Sequence, residues 1–121
     1  MNDNFKKKEL FNEGLKFYKE GNYFEAHEYW EDLWSDFYLD DKKFIQGLIQ
    51  LAVSFVHLRN GNMIGAKNLL KKSEEKFKSF SGIHRGINVN LLLYEIRKVG
   101  EHYNKMVDPK LFDWTLVPIL R

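Results

Sequence analysis

The chain contains no cysteine, only two prolines and no uncharged run longer than fifteen residues. Without cysteine there are no disulfides and no thiolate metal centres, and the composition fits a reducing cytoplasm, which is the expected location. The prolines stand at Pro109 and Pro118, so none interrupts a helix across the first hundred residues. The longest uncharged run, Phe44 to Leu58, falls short of the roughly 20 apolar residues that a membrane span needs, and it includes Gln46, Gln50 and His57. It reads as a buried core helix, so no membrane partner is expected. Nineteen basic and seventeen acidic residues leave a net charge of only +2, without the strongly basic face of a nucleic-acid binder. Lys6-Lys7-Lys8 and Lys71-Lys72 are interleaved with acids and read as solvated helix faces. Met1 to Phe5 is polar and leads straight into a helix pattern, unlike a signal peptide. There is no Gly-rich phosphate loop, nucleophile elbow or Ser-His-Asp order.

What the chain does have is apolar material in helical register. Apolar residues make up 44% and aromatics 16% of 121 residues, enough to bury a core within one domain spanning 1–121. Periodicity predicts an all-α fold, a compact bundle of about five helices. The first runs from Phe5 to Glu20, capped by Asp3 or Asn4, with Leu10, Phe11, Gly14, Leu15, Phe17 and Tyr18 on one side. Gly21-Asn22 stops it and caps the second, Tyr23 to Ser35. The third spans Asp41 to Arg59 and closes at Asn60-Gly61. The fourth, Met63 to Phe80, turns Ala66, Leu69, Leu70, Ser73, Phe77 and Phe80 one way and lysines the other. Ser81 to Gly86 reads as a loop, and the fifth helix starts near Asn88. Gly21-Asn22-Tyr23-Phe24-Glu25-Ala26 is echoed by Gly61-Asn62-Met63-Ile64-Gly65-Ala66. Two successive antiparallel hairpins are therefore expected, followed by the C-terminal helix and an apolar tail. Sealing the core in cis is the tail's expected role; the alternative is a homodimer contact.

One constellation stands out. On the second helix, Tyr23, Ala26, Trp30, Leu33 and Trp34 share an arc of about 100° at 100° per residue. His27 lies at the edge of that arc with Glu31 one turn on, while Glu25, Glu28 and Asp32 point to solvent. The third helix is apolar around most of its circumference and central by expectation. Its polar remainder is a stripe of Gln46, Gln50 and His57, with Ser54 and Gly47 beside it. A polar stripe on a buried helix requires partners, since an unsatisfied group costs roughly 1–3 kcal/mol. The economical placement has this stripe face His27 and Glu31. Trp30, Trp34, Phe37 and Tyr38 read as core, and His84 and His102 as solvated.

The run Gly21-Asn22-Tyr23-Phe24-Glu25-Ala26-His27-Glu28-Tyr29-Trp30-Glu31-Asp32-Leu33-Trp34 closely resembles the signature of a small prokaryotic family catalogued as domain of unknown function number 309. Lys43 to Ala52 resembles its second signature. Arg59 to Asn62, Gly65-Ala66 and Gly86 to Val89 resemble its remaining landmarks. The resemblance implies an all-helical fold of about five helices and carries no activity, substrate or cofactor. His27, Glu28, Glu31, Gln46 and Gln50 fall within the two signatures, and His57 just after them.

Three functional classes remain open. The candidate pocket of His27, Glu28, Glu31, Gln46, Gln50 and His57 suits a polar small molecule. It also suits a divalent metal held by His27, His57 and Glu31, with the two glutamines orienting substrate or water. The metal pattern is incomplete, because position 31 is Glu where a His-Glu-x-x-His pair needs its second His. The second class is a protein-interaction module resembling tetratricopeptide hairpins. The third is a purely structural polar network.

Overall fold

The computed structural model describes residues 3–121. Among them run five α-helices: α1 (Asp3–Lys19), α2 (Tyr23–Asp36), α3 (Lys42–Arg59), α4 (Met63–Phe77) and α5 (Val89–Lys105). Each packs chiefly on its neighbours in sequence, so α1–α2 and α3–α4 form the expected hairpins. Both hairpin turns use a glycine with positive φ, Gly21 at +82° and Gly61 at +77°. Each is followed by an Asn at the start of the next helix, and Asn62 caps α4 by accepting from the Gly65 N–H at 2.9 Å.

α3 is the central element. Phe44, Ile45, Leu48, Leu51, Ala52 and Phe55 are fully buried, with α2 on one flank and α4 on the other. Its Ser54 is equally buried: the hydroxyl donates to the Ala66 carbonyl at 2.7 Å and lies 3.0 Å from the Tyr103 hydroxyl. Ser54→Ala removes both hydrogen bonds and leaves the buried Tyr103 hydroxyl without this partner, at an expected cost of about 1–2 kcal/mol in chemical denaturation.

Three expectations need correction. α4 ends at Phe77, three residues early, and Phe80 instead packs its ring edge-on against Phe44. The segment read as a loop is a β-hairpin, with β1 (Ile83–His84) paired antiparallel to β2 (Ile87–Asn88). At its tip Arg85 and Gly86 have φ of +50° and +78°, the paired positive values of a two-residue hairpin turn. His84, expected in solvent, packs at a tilt with ring centroids 4.5 and 4.9 Å from those of Phe44 and Phe80 and shares a 2.8 Å hydrogen bond with Asp41. Arg85 donates through Nε and Nη2 to the same carboxylate and lies over the Phe11 ring. The hairpin tip thus clasps the start of α3 against α1.

The tail folds back over the bundle as two short 3-10 turns, Pro109–Leu111 and Trp114–Leu116. Phe112 and Pro118 are buried, Tyr18 donates to the Pro118 carbonyl at 2.8 Å, and the Asn88 N–H donates to the Arg121 carbonyl at 2.7 Å. Through these contacts the tail packs on its own bundle.

Candidate functional site

α2 carries the first half of the site. Trp30 and Leu33 anchor it in the core, so its periodicity fixes which residues turn outward. Glu25, Glu28 and Asp32 are exposed as predicted, and His27 and Glu31 border the packed face. The His27 side chain is 19% exposed and its Nε2 lies 3.5 Å from Glu31 Oε2. Its Nδ1 is 2.6 Å from the Phe24 carbonyl. A carbonyl only accepts, so Nδ1 carries the proton and Nε2 is the nitrogen presented to Glu31. Phe24, Glu25, His27, Glu28, Tyr29, Glu31, Asp32 and Ser35 line a shallow depression. All eight belong to one helix, so this is an open acidic face and not an enclosed cavity.

α3 supplies the second half. Glu31 and Trp34 of α2 meet Gln46, Ile49 and Gln50 of α3 around a cleft of about 230 Å3. Two of these residues each carry a buried polar atom with no hydrogen-bond partner, Trp34 Nε1 and Gln50 Oε1. The Lys42 ammonium sits 4.4 Å from the Trp34 ring, a cation–π contact at the mouth of the inter-helix seam. Glu31 lines both the open face and the cleft.

The structure therefore brings together Glu31, Gln46 and Gln50, with His27 one contact away through Glu31 and Glu28 on the adjoining face. It does not bring in His57. That ring packs against α4: a Cβ placed on Gly65 would lie 2.8 Å from His57 Cγ, and Nδ1 is 3.4 Å from Asn62 Nδ2. A shared azimuth does not bring Gln46 and His57 together, because the two are separated by eleven residues, about 16 Å of helical rise. The proposed ligand set of His27, Glu31 and His57 is thus not assembled. Among the described residues, no three His, Asp or Glu side chains gather closely enough to hold a metal ion. Of the aromatics expected in the core, Tyr38 is 82% exposed, while Trp34 lines the cleft.

The sequence model of DUF309, a domain of unknown function, matches residues 11–69. This segment is similar to the DUF309 domain. It runs from the middle of α1 through the first two turns of α4, and so contains the whole cleft between α2 and α3. The β-hairpin, α5 and the tail lie outside the matched DUF309 segment. No curated protein and no solved structure matches the chain. No helix among the described residues is long and apolar enough to cross a membrane.

Proposed function

We propose that this protein is a small-molecule binding module whose site is the cleft between α2 and α3. The observation that supports this reading is the pair of unmatched buried atoms, one a donor and the other an acceptor. Each costs roughly 1–3 kcal/mol while unpaired, and a ligand that satisfies both recovers that energy on binding. The complementary group presents an acceptor beside a donor, as a primary amide does: its carbonyl accepts from Trp34 Nε1–H and its N–H donates to Gln50 Oε1. Gln46 offers a second amide, Glu31 a carboxylate at the rim and Ile49 an apolar wall. His27 Nε2 lies beside Glu31 on the outer side. At about 230 Å3 the cleft suits a few non-hydrogen atoms, below the roughly 300–1,000 Å3 of pockets for drug-sized ligands.

The test is an NMR titration of 15N-labelled protein with acetamide and urea as probes. Saturable shifts are expected at the Trp34 indole N–H and the Gln50 carboxamide. Gln50→Leu should abolish them while leaving stability unchanged or up to about 1 kcal/mol higher, because it removes an unpaired buried acceptor. Shifts that never saturate, or that persist in Gln50→Leu, overturn the reading. A loss of stability beyond about 1 kcal/mol shows instead that Gln50 serves the fold.

A further inference from the structure

At the C-terminal end of α3, outside the cleft, lies a second cavity of about 480 Å3. Its lining includes Arg59, Asn60, Gly61, Lys110 and Trp114. The Arg59 guanidinium is held there by three contacts. Its carbon lies 4.9 Å from the Tyr23 ring centroid and 4.8 Å from that of Trp114, and Nη1 donates to the Gly21 carbonyl. Most of the rotamer freedom that an exposed arginine would lose on binding is therefore already lost. Neither Arg59 nor Lys110 has a carboxylate partner among the described residues.

The negative groups nearby are already engaged. The last carbonyls of α3 are capped: the Asn60 N–H donates to Val56 and His57, Gly61 to Leu58 and Asn62 to His57. The carboxylate lining this cavity, Asp108, accepts from the Lys110 backbone N–H at 2.9 Å and so is bound within its own turn. What remains at the cavity is a positioned guanidinium with spare N–H donors and the Lys110 side chain, two positive charges against the single carboxylate of Asp108.

We infer that this cavity is an oxyanion-binding site, taking the carboxylate or phosphate group of a small molecule between Arg59 and Lys110. A fork of guanidinium donors matches either group, and Lys110 adds a mobile point charge. The site is distinct in residues and chemistry from the cleft between α2 and α3.

Inorganic phosphate and acetate, titrated separately at low and constant ionic strength, test the inference by NMR at the Trp114 indole N–H and the Gly61 amide. At least one should give saturable shifts, leaving the Trp34 indole unmoved. Response to phosphate alone assigns a phosphate ester, and response to acetate a carboxylate. Lys110→Gln, at an exposed position, should weaken binding several-fold with unchanged stability. Arg59→Lys, which keeps the charge and loses the fork, should weaken it by on the order of tenfold. If sodium chloride reproduces the shifts, if neither anion saturates, or if Lys110→Gln and Arg59→Lys both bind as the wild type does, the inference fails.

Discussion

Gly14→Ala is expected to destabilise the protein by about 3 kcal/mol, although alanine is the better helix former by about 1 kcal/mol. A Cβ at position 14 would lie 2.0 Å from Trp30 Nε1 and 2.4 Å from two further indole atoms. Real carbon atoms do not approach that closely, so α1 or the indole must move. The indole has nowhere to go: Trp30 is fully buried beside Tyr18, and its N–H donates to the Phe11 carbonyl at 3.2 Å. The clash therefore outweighs the gain in propensity, and displacement also unpairs the N–H. Gly100→Ala is the control, since its Cβ would meet only Leu70 Cδ2, at an ordinary 3.6 Å. It should be neutral or stabilising by up to about 1 kcal/mol. Urea denaturation of both variants measures the contrast, and equal midpoints would refute the packing argument.

The second large effect is expected at Asp41. Its side chain is 14% exposed and receives hydrogen bonds from His84 and both Nε and Nη2 of Arg85. Asp41→Asn removes the charge and strands a partly buried guanidinium. Arg85 also occupies a left-handed conformation that costs a non-glycine residue roughly 1–2 kcal/mol, and the carboxylate helps to offset it. Breaking a fully buried pair costs about 3–5 kcal/mol; with Arg85 24% exposed, a loss of about 2 kcal/mol is expected at neutral pH. The pair also predicts a pH dependence. Burial pushes the Asp41 carboxyl up, but hydrogen bonds from Arg85 and then His84, with their charges, bring it below the ordinary carboxylate value. A carboxyl held low in the folded state contributes stability that is full above its unfolded pKa, near 4. That contribution is lost as the pH falls from there through the folded value. Denaturation midpoints of wild type and Asp41→Asn should therefore converge as the pH is lowered below about 4. A gap that stays constant down to acid pH would show that the charge is not what Asp41 contributes.

Much of this architecture was legible because it is periodic. The aromatic arc of α2, the nearly all-apolar α3 and the amphipathic α5 each repeat at helical spacing, and the Gly-Asn turns mark where the chain reverses. The His27–Glu31 pair was legible for the same reason, since residues four apart on a helix are neighbours whatever the helix packs against. The hairpin at Ile83–Asn88 was less visible, because two residues per strand carry no alternation to detect. Its only signals were Gly86 and the flanking isoleucines.

The sequence by itself thus determined which segments are helices, where they turn, and which side of α2 is acidic and exposed. The tertiary structure decided which polar residues meet. Gln46 and Gln50 line one cleft with Glu31 and Trp34, whereas His57, on the same azimuth of α3, packs against Gly65 and Asn62 at the start of α4. His84 finds Asp41 across forty-three positions, and Arg59 finds Trp114 of the tail. The physical reason is one of range. Helical periodicity is a local property of the backbone, while these pairings depend on how far along each axis two elements touch, which no spacing within either element encodes.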